Sequence, residues 1–253
     1  MDNIFKDLIS EGVVVVYLDD ILIFTETLEE HWKVICHVLE PLEKHKLYLC
    51  PNKCEFKRTM IEYLGVIISH NSVVMDPVKI TGVTKWPTLT NKKEVQSFLG
   101  FTNFYWRFIM DFSEHAHLLD LTQNDTRWHW KGAKQSAFNR LKQSVTAAPV
   151  LISPDSTKPF CIEADSSDFV TGTILFQVFT EDNKWHPVAF LSKSLFLVEQ
   201  NYEIHDKEIL VIIQALQKWW HFVEGVEHPC EIWTDHKNLE YFMAVKQLNR
   251  RQA

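Results

Sequence analysis

Glycine, proline and cysteine are all scarce in this 253-residue chain, which has 7 Gly, 9 Pro and 5 Cys. Collagen-like repeats and low-complexity disorder need far more glycine and proline, and a small disulfide scaffold needs denser cysteine. The longest apolar runs, Val13–Leu18 and Ile21–Phe24, are far shorter than the roughly 18 residues of a membrane span. The N-terminus lacks a signal-peptide layout, and an odd number of scattered cysteines fits a reducing compartment. We therefore expect a soluble intracellular protein with no membrane partner, cytoplasmic or nuclear without distinction.

The net charge of −7 is distributed unevenly along the chain. Residues 1–75 carry 7 basic against 12 acidic side chains, and residues 149–253 carry 9 against 15. Residues 76–148 carry 10 basic against 6 acidic side chains. A basic middle between acidic ends suits a protein that grips a polyanion centrally and holds metal ions with carboxylates on either side. Ordinary surface variation produces the same pattern, and this alternative stays open.

Apolar periodicity divides the chain into three parts. Residues 1–75 show the pattern of a β-hairpin followed by a helix, and residues 76–148 show short-looped helices. Residues 149–253 alternate with a period of two around one long helical stretch. This order predicts a mixed α/β (α+β) fold that ends in a mixed sheet with helices.

The first hairpin carries adjacent carboxylates at its tip. Two β-rich runs, Val13–Leu18 and Ile21–Phe24, are separated only by Asp19 and Asp20. This spacing predicts a two-residue turn made of the two aspartates. Aspartate is also common in turns for local hydrogen-bonding reasons, so a purely structural role remains open.

Spacing and capping residues predict the remaining elements. A helix is expected over Thr27–Lys46, kinked or split at Pro41, and a strand over Tyr63–Ser69. Asp76 and Pro77 have the order of an N-cap and a first helical residue. The other predicted helices are Lys79–Lys85, Asn91–Asp111, Trp128–Val145 and Tyr202–Phe222, and the other predicted strands are Phe160–Ala164, Gly172–Phe179, Val188–Leu191 and Cys230–Thr234.

Three acidic residues of the last part, here called the carboxylate triad, are positioned to meet. Asp165 ends one predicted strand, Asp235 ends another, and Glu208 lies in the first turns of the long helix. Carboxylates buried together repel unless cations neutralise them, and the hard oxygen-ligand ions are Mg²⁺ and Mn²⁺. A pair of such ions is suited to phosphodiester hydrolysis. With 33 acids in the chain, three unrelated solvated carboxylates are the competing interpretation.

Two other groups of residues have competing interpretations. His45, Cys50 and Cys54 suggest zinc, but no fourth ligand has the usual paired spacing. The tryptophan pair Trp219-Trp220 is expected to pack beneath the sheet. An aromatic stretch is interpreted either as helix core or as a base-stacking platform: Phe98, Phe101, Phe104, Tyr105, Trp106 and Phe108.

Short motifs along the whole chain resemble, in order, the Pol polyprotein of gypsy-class long-terminal-repeat retrotransposons. The hairpin Tyr17–Phe24 (YLDDILIF) resembles the reverse transcriptase YxDD motif, and Asp165–Ser167 is similar to the D-A-S of the family's ribonuclease H. No single motif is decisive, but the collinear set is strong. The further motifs are Lys53–Phe56, Tyr63–Gly65, Ser97–Gly100, Asn103–Ile109, Ala137-Phe138 with Leu141-Lys142, Ala148–Leu151, His186–Phe190, Asn201-Tyr202, Lys207–Leu210 and Thr234–His236.

This resemblance implies three successive domains. They are the C-terminal part of the reverse transcriptase palm (1–75), a helical thumb or connection (76–148) and a ribonuclease H-like domain (149–253). Asp165, Glu208 and Asp235 become catalytic metal ligands for two Mg²⁺ (or Mn²⁺) ions that cut the RNA strand of an RNA–DNA hybrid. Asp19 and Asp20 become carboxylates of the polymerase metal site. The implied partners are the hybrid and other Pol segments, namely the upstream palm and fingers and the downstream integrase.

The two main departures from the family pattern are missing acidic elements. The family supplies a further polymerase aspartate well upstream of YxDD, and a fourth ribonuclease H acid in an A-D-x-L-S-R-like element beyond the last strand. Neither element occurs in these 253 residues, so we expect an incomplete polymerase site and a C-terminally truncated ribonuclease H domain. The alternative function is a catalytically dead remnant that acts at most as a nucleic-acid-binding module.

Basic residues of the middle part are predicted to contact the hybrid backbone. A solvated helix surface is the competing interpretation for each of them. This basic set comprises Lys92, Lys93, Arg107, Lys131, Lys134, Arg140 and Lys142.

Overall fold

The computed structural model describes residues 1–122 and 126–235, apart from the side chains of residues 116, 117, 119 and 120. It contains two compact units, the first spanning Met1–His70 and the second beginning at Asn71. Both units combine strands and helices, which confirms the predicted mixed α+β class. The three-part division at residues 75 and 148 stays a prediction, and His236 lies outside the described residues. No helix in the described ranges has the length and apolar character to cross a membrane.

The first unit packs short strands against one long helix. Its small core consists of Phe5, Val14, Val34, Val38 and Leu42. Its elements are α1 (Lys6–Ser10), β1 (Val14–Tyr17), β2 (Asp20–Ile23), α2 (Leu28–Lys44), β3 (Met60–Tyr63) and β4 (Val66–Ser69).

The hairpin of β1 and β2 turns one residue earlier than predicted. Tyr17 pairs with Asp20, so the two-residue turn is Leu18-Asp19 and not Asp19-Asp20. Leu18 adopts a left-handed φ of 53° to make this turn. Burial explains the register, because Val14 must face the core and a one-residue slip would turn every side chain of the strand to the other face.

One further expectation for the first unit is wrong, and another is narrowed. Tyr63–Ser69 is not one strand, because Leu64 and Gly65 have φ values of 49° and 77° and form the turn between β3 and β4. Left-handed residues at both positions favour a tight hairpin. Of the two outcomes expected at Pro41, a kink or a split, the split is excluded, because helix α2 continues through Pro41 to Lys44. Buried core residues before and after the proline, Val38 and Leu42, hold both turns in place.

The second unit contains a helical part and a final sheet. Asp76 caps α3 through its carboxylate, which accepts from the Val78 amide at 2.8 Å, as the sequence predicted. The elements are β5 (Ser72–Met75), α3 (Pro77–Thr84), α4 (Lys92–Phe104), α5 (Gly132–Thr146), β6 (Leu151–Ile152), β7 (Phe160–Ser166), β8 (Val170–Val178), β9 (Trp185–Ser194), α6 (Ile204–Val223) and β10 (Glu231–Trp233).

The aromatic stretch of the middle part lies mostly in the core. Helix α4 ends at Phe104, earlier than the predicted Asp111, and a short 3₁₀ turn follows at Trp106–Phe108. Phe98 is buried and packs on Phe138 of α5 with ring centroids 4.7 Å apart. Tyr105 and Phe108 are also buried, Phe101 and Trp106 are half-buried, and Phe104 is 56% exposed. The core interpretation therefore holds for most of this stretch.

The final sheet has the strand order β10-β7-β8-β9. Strand β10 runs parallel to β7, and the other neighbours are antiparallel. Helix α6 covers one face, where Trp219 is 2% exposed and packs in the core. Trp220 is 56% exposed, so the expectation that both tryptophans pack beneath the sheet is wrong for Trp220. Adjacent residues of a helix point in different directions, so one helix face buries only one of them.

A buried histidine makes the stability of the second unit pH-dependent. His115 is 7% exposed, and burial together with the charge of Arg140 lowers its pKa below the usual 6.5. The unfolded chain therefore binds the proton first, and stability falls as pH drops below about 6.5. We expect Tm to fall more between pH 7.5 and 5.0 for the wild type than for His115→Gln. Equal losses in a thermal scan would contradict this expectation.

Candidate active site

The carboxylate triad is assembled by two parallel strand ends and one helix. Asp165 is the penultimate residue of β7, and Asp235 follows β10 by two residues. In the parallel ladder Trp233 pairs with Glu163, so continuing the register by two residues places Asp235 beside Asp165. Glu208 lies in the first two turns of α6, the helix that packs on β7.

The three carboxylates converge on one point. One oxygen from each of Asp165, Glu208 and Asp235 lies within 4.8 Å of the other two. Glu208 is only 2% exposed, whereas Asp165 and Asp235 are exposed. The cluster is therefore buried on the side of Glu208 and open to solvent on the side of the two aspartates. A ligand that neutralises it can approach from solvent.

Two hydroxyl groups hold the buried carboxylate. Ser166 donates to Oε1 of Glu208 at 2.6 Å, and Thr234 donates to Oε2 at 3.2 Å. Each donor is the chain neighbour of one of the two strand-end aspartates. Sequence reasoning missed both residues. The available signal was that each strand-end aspartate has an adjacent hydroxyl residue.

The donor set fits a hard divalent cation. Opposite ligands of an octahedral Mg²⁺ lie about 4.2 Å apart, since each bond is about 2.1 Å long. The carboxylate oxygens of the triad lie within 4.8 Å of one another, so only small side-chain movements would bring them to that geometry. Three clustered carboxylates without a cation repel one another, and this repulsion favours cation binding.

The middle part of the chain adds negative charge beside Asp165. An Oδ1 atom of Asp111 lies 2.8 Å from the position that a Cβ on Gly172 would occupy, and Gly172 pairs with Asp165 across the sheet. Burial first, then Glu114 and Asp165, raise the pKa of Asp111. Sequence spacing gave no sign of this approach, because Asp111 is distant in sequence and was expected at the end of a helix.

The polymerase-like carboxylates lie in the first unit. Asp19 occupies the turn between β1 and β2, Asp20 begins β2, and both are exposed. Burial raises the pKa of the Tyr63 hydroxyl, and the charge of Asp20 raises it further. The hairpin thus presents two adjacent carboxylates to solvent.

The zinc interpretation is not supported. Cys54 donates its thiol hydrogen to the backbone oxygen of Cys50 at 3.3 Å. Within residues 1–122 and 126–235, the carboxylate triad is the one group of three or more His, Cys, Asp or Glu side chains whose ligand atoms lie close enough together to share a metal ion. His45, Cys50 and Cys54 therefore form no such group.

The members of the basic set differ in exposure. Lys134 is 7% exposed. The Lys142 ammonium donates to the backbone oxygen of Trp86 at 2.9 Å, which ties α5 to the end of α3. Lys92 is half-buried in the first turn of α4. The exposed members are Lys93, Arg107, Lys131 and Arg140.

This difference predicts which basic residues affect nucleic-acid affinity. We expect Lys93→Gln and Arg140→Gln each to weaken hybrid binding and to reduce the slope of log K against log salt by about 0.7–0.9. Lys184 is exposed in the β8–β9 loop, at the opposite end of β8 from the carboxylate triad, so Lys184→Gln is the control. Fluorescence anisotropy at several salt concentrations measures the slopes. Equal slopes for all three variants and the wild type would show that Lys93 and Arg140 do not contact the hybrid backbone.

Two family descriptions match the chain. Residues 1–68 match the reverse transcriptase (RNA-dependent DNA polymerase) family, and residues 130–232 match the RNase H-like domain found in reverse transcriptase. The Transposon Tf2-3 polyprotein of Schizosaccharomyces pombe (strain 972 / ATCC 24843) is 36% identical over 231 residues, covering 91% of this chain and 17% of the polyprotein. The Transposon Tf2-7 polyprotein of the same organism is 35% identical over 232 residues, with the same coverage. This chain therefore spans about a sixth of these curated relatives.

Solved structures show the same fold. The foamy viral protease-reverse transcriptase in complex with dsDNA has a TM-score of 0.79 at 20% identity, covering 97% of this chain and 50% of that chain. The same viral protein in complex with an RNA/DNA hybrid has a TM-score of 0.77 at 21% identity, covering 99% of this chain and 34% of that one. The chain thus contains a segment that matches the reverse transcriptase family and, after it, a segment that matches the RNase H-like domain found in reverse transcriptase, and it is similar along most of its length to one part of retrotransposon polyproteins.

Proposed function

We propose that the final domain is a ribonuclease H that cuts the RNA strand of RNA–DNA hybrids. The products would carry a 5′-phosphate and a 3′-hydroxyl. The observation that carries the proposal is the convergence of the carboxylate triad at the edge of the sheet. We assign the chain to the Pol polyprotein of a gypsy-class element, on the collinear motifs and the similarity to Tf2 polyproteins.

Each member of the carboxylate triad has a distinct part in this proposal. Glu208 is oriented by two hydroxyls, so its oxygens are fixed before a cation arrives. Asp165 and Asp235 are exposed and complete the ligand set from the solvent side, where a phosphate backbone can approach. When bound, a pair of Mg²⁺ or Mn²⁺ ions supplies the attacking water at neutral pH and stabilises the leaving oxygen.

The exposed residues of the basic set would hold the hybrid. Hybrid-binding proteins sense duplex shape, phosphates and 2′-hydroxyls more than base sequence. Exposed Lys93 and Arg140 offer such sequence-independent contacts. We also propose Asp19 and Asp20 as carboxylates of the polymerase metal site of the larger polyprotein, together with elements supplied by other Pol segments.

A second candidate is a module that binds hybrids without cutting them. The observation that favours it is the exposure of basic side chains such as Lys93 and Arg140, which offer contacts to a nucleic-acid backbone and need no metal site.

Cleavage and binding measured together distinguish the two functions. A hybrid labelled on its RNA strand, and a DNA duplex of the same sequence, are incubated with the chain and Mg²⁺. The proposal predicts cuts in the RNA strand, intact DNA duplex and no cuts by Asp165→Asn. Salt-sensitive hybrid binding without cleavage by the wild type would establish the binding module and overturn the nuclease.

A further inference from the structure

An ion pair beside the carboxylate triad has no part in the function proposed so far. The Lys207 ammonium donates to Oδ1 of Asp168 at 3.1 Å. The side chain of Lys207 is 7% exposed, whereas that of Asp168 is 84% exposed. A buried ammonium is costly unless a counter-charge accompanies it. Asp168 supplies that charge from the loop that follows Asp165.

The loop is tight and is fixed at both ends. The Ser167 amide donates to the backbone oxygen of Val170 at 2.9 Å, and the Val170 amide donates to the Ser167 hydroxyl at 3.1 Å. Residues 167–170 therefore form the short turn that joins β7 to β8. A displacement of this turn would move the end of β7, where Asp165 lies.

Two consecutive residues of α6 bond to this segment. Lys207 binds Asp168, and Glu208 accepts from Ser166 at 2.6 Å. One ion pair and one hydrogen bond thus join helix α6 to the end of β7 and the turn after it. Their partners on the β7 side, Ser166 and Asp168, are two residues apart. These links set the separation between Asp165 and Glu208.

Resting on the proposed function, we propose that Asp168 and Lys207 are positioning residues for cation binding. The pair holds the segment after Asp165 against α6. It also gives the buried Lys207 ammonium its counter-charge, while the oxygens of Glu208 accept from neutral hydroxyls. The negative charge of Glu208 therefore stays available to a cation. Loss of Asp168 leaves a buried ammonium without its counter-charge and releases the turn after Asp165 from α6.

The test is Mn²⁺ binding by the full chain, followed by the electron paramagnetic resonance signal of free Mn²⁺. We expect Asp168→Asn to weaken binding about five-fold while Tm stays within about 2 °C of the wild type, and Asp168→Glu to restore most of the affinity. Asp182→Asn is the matched control, because Asp182 is also an exposed loop aspartate with a side-chain hydrogen-bond partner, Nε2 of His186 at 2.8 Å. This control should bind like the wild type.

The outcomes separate this inference from the function on which it rests. If the wild type binds no Mn²⁺, or Glu208→Gln binds equally well, the proposed metal site itself fails. If binding depends on Glu208 but Asp168→Asn binds like the wild type, the positioning role alone is wrong. A matching loss of Tm and affinity that Asp168→Glu does not rescue would make the pair merely structural, and this too overturns the inference.

Discussion

Substitution Glu208→Gln should lower hybrid cleavage by about a thousandfold or more. The exchange keeps the shape of the side chain but removes the charge at the buried base of the carboxylate triad. A metal ion contributes several kcal/mol to stabilisation of the transition state, and about 4 kcal/mol corresponds to a factor of about a thousand. Glu224→Gln is the control, because Glu224 follows the C-terminal end of the same helix and is exposed.

The same variant should not be less stable than the wild type in the absence of metal. Glu208 is held beside two other carboxylates, so removing its charge relieves repulsion. In EDTA we expect a Tm equal to or above that of the wild type. Mn²⁺ at ten times its Kd should stabilise the wild type by about 1.4 kcal/mol and the variant far less. A large loss of Tm in EDTA would instead mean that Glu208 has a structural role.

Substitution Trp219→Ala should destabilise the second unit by about 3–5 kcal/mol, the usual cost of removing a buried tryptophan. Trp219 packs with Ala215 and Leu175 in the core that holds α6 on the sheet. Because α6 also carries Glu208, cleavage should fall with the folded fraction. Urea unfolding curves measure the difference.

The neighbouring tryptophan provides the matched control for this prediction. Trp220 has the same side chain on the same helix turn but is 56% exposed. Trp220→Ala should therefore change stability by about 0.5 kcal/mol or less, as surface substitutions usually do. Equal destabilisation by the two variants would contradict the position of α6 on the sheet.

The sequence predicted those features that depend on local pattern. The strand ends at Asp165 and Asp235 and the start of the long helix followed from periodicity. In the structure the two strands run parallel, so their ends meet at one edge of the sheet. The Asp76 cap followed from the residue types alone. These features need no knowledge of distant contacts, which is why they could be derived from one sequence.

Features that depend on packing were missed or misplaced. The turn at Leu18-Asp19 is set by which face of β1 meets α2, and the continuity of α2 through Pro41 depends on buried neighbours. In each case tertiary burial decided between conformations that local propensity leaves close in energy.

The surroundings of the carboxylate triad were missed for the same reason. Asp111 lies beside Gly172 although the two are distant in sequence, and Lys207 of α6 bonds to Asp168 in the turn after β7. Spacing rules describe residues on one element, whereas these contacts join different elements. The acids could therefore be proposed from the sequence, but the groups that orient them could not.

The most direct test is cleavage of an RNA-labelled RNA–DNA hybrid at increasing Mg²⁺ concentration, by the wild type and by Asp165→Asn side by side. We expect RNA-strand cuts that appear with Mg²⁺ in the wild type and are absent in Asp165→Asn. Cutting of equal rate by both proteins, or no cutting by a wild type that still binds the hybrid, would contradict the assignment of the carboxylate triad as a nuclease site.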